Sequence, residues 1–204
     1  MGPPASASAS IAASVSAAPS ATPPDPYAGK LRIGKGTKVL VFGDSMVNAG
    51  LRQRLKPLIE AQGAIFLMDA WGASTSMAWS VTDRLPKLLD KTQPDVVLII
   101  LGSNEIFAAN ATEVGKGVAR LVGRLRGLPC AWIGPPVWQH GKVADEAIAK
   151  EIENVPPCLY FDSSKLDLQR QPDHIHPTFV GGAKWADALW DGVVSADVVL
   201  PPAF

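Results

Sequence analysis

From residue 38 onward, runs of consecutive apolar residues alternate with stretches in which apolar residues recur every three or four positions. Residues 38–43 (KVLVFG) form an apolar run closed by glycine. Leu51, Leu55, Leu58 and Ile59 follow at helical spacing, which predicts a helix with one apolar face. Residues 64–68 (AIFLM) predict a second strand, with a loop beginning at Trp71. Helical periodicity returns over 81–89. The unbroken run 95–101 (DVVLIIL) fits a strand covered on both faces. The same reading predicts helices over 112–125 and 143–152 and strands at 130–134 (CAWIG) and 159–161. A closing helix spans 178–194, where Trp185, Leu189 and Val193 recur every four residues.

Five strands separated by helices predict an α/β protein, with right-handed crossovers and a parallel sheet between two helical layers. One three-layer αβα domain over residues 31–204 accommodates all of it. Open sheets of this kind bind ligands beyond the carboxyl ends of their strands, so the polar residues at those ends are the ones to weigh.

Residues 1–30 obey no such period. Ala, Ser and Pro fill 21 of the first 28 positions, and Asp25 is the one charge among them. Too little apolar bulk is present to offset the entropy of ordering, so this stretch reads as a disordered linker. Linkers of this composition follow removed signal peptides or lipid anchors in exported bacterial proteins. Export is therefore the expectation, and a cytoplasmic protein with a ragged terminus is the alternative. No signal-peptide pattern is visible in the chain, and no apolar run approaches the ~20 residues of a membrane span.

Charge removes one class of function. Lys and Arg together number 19, as do Asp and Glu, for a formal net charge of zero in 204 residues. Arg120, Arg124 and Arg126 form the densest basic segment, on an otherwise apolar helical pattern that reads as a solvated helix face. Nucleic-acid binding draws most of its affinity from a basic excess, and none is present. Two Cys and three His without metal-ligand spacing argue against a zinc site.

The polar residues collect where the predicted strands end. Gly43-Asp44-Ser45 follows the first strand, Trp71-Gly72-Ala73-Ser74 the second, and Gly102-Ser103-Asn104-Glu105 the third. Asp173-His174-Ile175-His176-Pro177 follows the fifth. A hydroxyl, a glycine backbone, a carboxamide and a carboxylate–imidazole pair thus reach one edge of the sheet. A serine hydroxyl needs a base to become a nucleophile at neutral pH, imidazole is suited to that task, and a carboxylate fixes the imidazole tautomer. Asp173 and His176 stand three apart, so one short turn brings them together.

These four segments, in this order, resemble the blocks of the SGNH hydrolases, also called the GDSL esterase/lipase family, over essentially the whole folded region. The resemblance implies a flavodoxin-like sheet of strand order 2-1-3-4-5. It implies Ser45 as nucleophile, His176 and Asp173 as base and orienter, and an oxyanion hole made of the Ser45 and Gly72 amides and the Asn104 side chain. It implies no cofactor. At Gly72 the absence of a Cβ leaves substrate free to approach the amide. The strained G-x-S-x-G elbow of another esterase class is absent, since Val47 stands where it requires glycine. His174 competes with His176 for the role of base, but adjacent side chains rarely meet in the required geometry, and DxxHP spacing selects His176. Asp44 reads as a brace for the loop holding Ser45, and His140 as a surface residue or a substrate contact.

Within that family's strand order the fourth and fifth strands are neighbours. Cys130 and Cys158 then face each other at the amino-terminal edge, either as a disulfide in an oxidising compartment or as two buried thiols. Trp71 and Trp138 project toward the site, as an apolar wall for an acyl group, a stacking surface for a sugar, or simple loop packing. The expected reaction is hydrolysis of a short acyl ester, acetyl above all, on a small alcohol or an acylated carbohydrate. A polysaccharide O-acyltransferase and a non-catalytic carbohydrate-binding module are the alternatives. Oligomeric state is left open.

Overall fold

The apolar run at 38–43 becomes a central strand because both of its faces are covered. The computed structural model describes residues 1–2, 30–105, 110–136, 148, 150–151 and 158–196. In chain order the elements are β1 (Leu31–Ile33), β2 (Lys38–Gly43), a 3-10 turn (Ser45–Asn48), α1 (Leu51–Ala61), β3 (Ile65–Ala70), α2 (Ser76–Val81), α3 (Arg84–Thr92), β4 (Val96–Ile100), α4 (Ala111–Gly123), β5 (Cys130–Ile133), β6 (Cys158–Phe161), α5 (Phe179–Val193) and β7 (Val194–Ala196). Five of the strands form one parallel sheet in the order β3-β2-β4-β5-β6. Counted over those five strands, this is the expected 2-1-3-4-5.

Successive residues of a strand point to opposite faces, and the two cores follow that alternation. Val39, Val41, Val96, Leu98 and Ile100 pack with Leu51, Leu55 and Ile59 of α1 and Trp185, Leu189 and Val193 of α5. Leu40, Phe42, Val97, Ile99 and Trp132 pack on the other side with Trp79 of α2, Leu85 and Leu89 of α3, and Val114, Val118 and Leu121 of α4. The result is a three-layer αβα domain.

Three expectations change. The helical period seen at 81–89 belongs to two helices, α2 and α3, parted at Thr82, whose backbone is extended at ψ 167°. Thr75 caps α2 by accepting from the Ala78 amide at 3.2 Å, and the Thr82 hydroxyl donates to the Ala78 carbonyl at 3.0 Å. Side-chain hydrogen bonds at both ends therefore keep α2 short. The closing helix ends at Val193, one residue early, and continues into β7. β7 pairs in parallel with β1, forming a second sheet of two strands that hydrophobic periodicity does not reveal, because three-residue strands are too short to display one. Most of the helix expected over 143–152, and nearly all of the linker 1–30, lie outside the described residues.

Close packing between α5 and the start of α1 lies near the site. A Cβ on Gly182, in α5, would stand 2.3 Å from the Gly50 carbonyl carbon, just before α1. Only glycine permits that approach. Gly50 closes the segment that begins at Ser45, and a Cβ on it would stand 2.4 Å from the carbonyl oxygen of Thr178, two residues after His176.

Candidate active site

Ser45 opens the 3-10 turn that leaves β2, at the carboxyl end of the sheet. Asp44 shapes that turn. Its side chain is fully buried and accepts from the Met46 amide at 2.9 Å, from the Ser103 hydroxyl, and from Asn104 Nδ2 at 3.4 Å. One carboxylate therefore ties the Ser45 turn to the loop after β4, which is the bracing role expected of it. Burial, the dominant effect, pushes the Asp44 carboxyl up to about 7, against the Ser103 and Met46 hydrogen bonds that favour its charged form. Glu105, also buried, is raised for the same reason while accepting from the Ser76 amide at 2.5 Å.

His176 arrives from the segment before α5. Its Nε2 lies 2.9 Å from Ser45 Oγ, and its Nδ1 lies 2.7 Å from Asp173 Oδ2. The other Asp173 oxygen accepts from the Ile175 and His176 amides at 2.9 and 3.0 Å. Hydrogen bonds from the His176 ring and these two amides hold the exposed Asp173 carboxyl down at about 2, so it is ionised at neutral pH. A neutral His176 ring hydrogen-bonded in this way donates from Nδ1 and offers its Nε2 lone pair to the serine hydroxyl. His174 occupies the left-handed region at φ 60° within the same turn, and the structure places His176 rather than its neighbour on Ser45.

The segment is fastened from outside as well. The Gln171 amide donates to the His176 carbonyl at 2.7 Å. The Arg170 guanidinium bridges the Ile175 carbonyl at 2.5 Å and the Pro136 carbonyl at 3.2 Å. Nothing in the residue spacing signalled Arg170.

Gly72 follows β3 on an exposed loop, and a Cβ added there would meet no atom within 4 Å. The fold therefore does not require glycine at this position. Asn104 points its Nδ2 at the Ser74 carbonyl, 2.9 Å away, so the third and second polar segments are hydrogen-bonded to each other. Ser45, Gly72 and Asn104 thus lie on three loops at one end of the sheet, two of them joined through Asp44.

Trp71 is half-buried and engaged in packing. Its ring meets Trp79 edge-on at 5.7 Å between centroids, and the Arg84 guanidinium stands 5.4 Å from its centroid. Trp138 and His140 lie outside the described residues. Cys130 and Cys158, register partners at the first residues of β5 and β6, form a disulfide at the opposite edge of the sheet. Among the described residues no group of three His, Cys, Asp or Glu side chains is placed to hold a metal ion, and no helix is long and apolar enough to cross a membrane.

No family model matches the chain, and no curated protein matches its sequence. Solved structures do share its fold. An acetylxylan esterase from Geobacillus stearothermophilus superposes with a TM-score of 0.66 at 17% identity, covering 79% of this chain and 96% of that enzyme. Catalytic mutants of that enzyme replace a serine, a histidine and an aspartate three positions before the histidine. The acetyl xylan esterase AlAXEase superposes with a TM-score of 0.65 at 18% identity, covering 77% of this chain and all of that one. A psychrotrophic esterase from a Pseudoalteromonas species gives a TM-score of 0.61 at 19% identity, over 76% of this chain and 96% of its own. At these identities the likeness establishes a common three-layer fold.

Proposed function

We propose that the protein is a serine esterase of the SGNH (GDSL) kind, built on a flavodoxin-like sheet, that removes short acyl groups from small alcohols or carbohydrates. The unbroken chain from Asp173 through His176 to Ser45 carries this reading, with links of 2.7 and 2.9 Å. Structural similarity to acetylxylan esterases supports acetyl on a sugar as the preferred substrate.

In the first half-reaction Ser45 Oγ attacks the ester carbonyl carbon while His176 Nε2 accepts its proton. The carbonyl oxygen becomes an oxyanion facing the Ser45 and Gly72 amides, and Asn104 Nδ2 joins them by turning toward it the proton now directed at Asp44 Oδ2, 3.4 Å away. Donors fixed before the reaction act most strongly there, each worth roughly 3–4 kcal/mol. Collapse breaks the bond to the leaving alcohol, which takes the proton from His176. Water then attacks the acyl-enzyme with His176 again as base, releasing the acid and restoring Ser45. Throughout, ionised Asp173 keeps the ring oriented and stabilises the imidazolium. Asp44 lies behind the nucleophile and touches no reacting atom.

The disulfide supports export, since such bonds persist in oxidising compartments. The decisive experiment is a Ser45→Ala variant assayed on p-nitrophenyl acetate, acetylated xylan and a series of longer acyl chains. Turnover falling by at least about a thousandfold, with release greatest for acetyl, agrees with the proposal. Retention of most activity in that variant removes Ser45 from its role.

A further inference from the structure

We propose that Arg84, locked onto Asp69, is a positioning residue for the loop that carries Gly72, acting through the indoles of Trp71 and Trp79. The inference rests on the esterase reading in one respect only, that the Gly72 amide faces the oxyanion.

Arg84 is the first residue of α3, and Asp69 is the penultimate residue of β3, the edge strand that leads into the loop. The guanidinium donates twice to the carboxylate, from Nε to Oδ2 at 2.8 Å and from a terminal nitrogen to Oδ1 at 2.5 Å. A two-point fork fixes the plane of the guanidinium as well as its place. Its central carbon Cζ stands 5.4 Å from the centroid of Trp71 and 5.3 Å from that of Trp79, within cation–π range of both. One cation therefore addresses two indoles that themselves meet edge-on.

Both indoles lead to the loop. Trp71 is its first residue, and its carbonyl accepts from the Ser74 amide at 3.2 Å. Trp79, wholly buried, donates its ring N–H to Ser74 Oγ at 2.8 Å. Between them Ala73 holds φ at 56°, a left-handed conformation that a non-glycine residue adopts at a cost of ~1 kcal/mol or more. Left alone, such a turn relaxes, and the Gly72 amide beside Ala73 relaxes with it. Asn104 and Glu105 restrain the loop from the β4 side, through the Ser74 carbonyl and the Ser76 amide. Arg84 restrains it from the α3 side, through its two aromatic residues. A half-exposed ion pair adds little to global stability. Its value here is orientation, because an oxyanion donor displaced by even 1 Å loses up to about a hundredfold in rate.

The test uses the full-length chain and the variants Arg84→Met, Arg84→Lys, Asp69→Asn and the Arg84→Met/Asp69→Asn double. Steady-state turnover of p-nitrophenyl acetate is read beside wild type and Ser45→Ala, and amide hydrogen exchange is read at Ser74, whose amide donates to the Trp71 carbonyl across the turn. We expect kcat to fall by about tenfold or more in each variant, with KM within about threefold and exchange at the Ser74 amide faster by a similar factor. Lysine does not restore the rate, since it keeps the charge and loses the fork. The double variant is no slower than Arg84→Met alone, because the pair acts as a unit. The proposal is overturned if folded Arg84→Met and Asp69→Asn keep kcat within about twofold of wild type, if exchange at the Ser74 amide is unchanged, or if KM alone rises. Should Arg84→Met fail to fold, Asp69→Asn decides, because it leaves both indoles and the guanidinium in the chain and removes only the charged acceptor that holds the fork. Absence of Ser45-dependent turnover in the wild type defeats the esterase reading instead, and the exchange measurement still decides whether Arg84 holds the loop.

Discussion

Reducing the Cys130–Cys158 disulfide should cost stability and spare activity. The bond joins residues 28 apart in sequence, and closing a loop of that length removes denatured-state entropy worth about 3.6 kcal/mol at 25 °C. Domains of this size are stable by roughly 5–15 kcal/mol, so the reduced protein stays folded while a large fraction of its margin goes. The two sulfurs sit at the first residues of four-residue strands. At ~3.3 Å per residue those strands carry the chain about 10 Å toward the edge where Ser45 lies, and neither β5 nor β6 supplies Ser45, Asp44 or Gly72. Urea unfolding of oxidised and reduced protein, followed by tryptophan fluorescence, should differ by about 2–4 kcal/mol. Turnover of p-nitrophenyl acetate at 25 °C without urea should agree within about twofold between the two forms, since the hydrogen bonds at the site are untouched. Equal unfolding midpoints refute the entropic argument. A loss of kcat beyond about tenfold in folded, reduced protein refutes the separation of the two edges.

The remaining predictions concern the site itself. Gly72→Ala should fold as wild type does, because a Cβ there meets no atom within 4 Å; kcat should nonetheless fall by at least about tenfold, since the methyl occupies the approach to the amide, and unchanged kcat would remove Gly72 from the oxyanion hole. Asp173→Asn should lower kcat by about 10²–10⁴ through the wrong imidazole tautomer, with the loss visible at every pH where Asp173, held near 2, is otherwise ionised. The pH dependence of unfolding should show Asp44. Its folded value of about 7 lies above the unfolded 3.8, so between those values the folded protein holds the extra proton. Stability from this group is then greatest below the unfolded value and declines as pH rises toward 7, by on the order of 4 kcal/mol. Glu105, raised by burial, acts in the same direction. Asp44→Asn should flatten that slope in chemical denaturation between pH 4 and pH 7, and an unaltered slope would show that Asp44 is ionised throughout.

Much of the fold was legible because both faces of its central strands are apolar and its helices carry clear periods. The runs at 38–43 and 95–101 lie side by side in the sheet for that reason. The division of 76–92 into α2 and α3 was not legible, because it depends on where the hydroxyls of Thr75 and Thr82 find partners. β1 and β7 were hidden by their length, and by the fact that each is a strand only when the other is beside it.

The amino-acid sequence alone determined the candidate groups and the edge of the sheet to which they belong, because each polar segment follows directly on a strand and strand direction decides which edge that is. Tertiary structure decided everything that needs two distant segments at once. Ser45 and His176 are 131 positions apart and meet at 2.9 Å, beside the close approach of Gly50 to Gly182. Asp44 rises to about 7 because the folded chain shuts water away from it. Arg84 has meaning only beside Asp69 and two indoles. Periodicity reports on neighbours along the chain, whereas burial, ion pairing and proton affinity depend on neighbours in space.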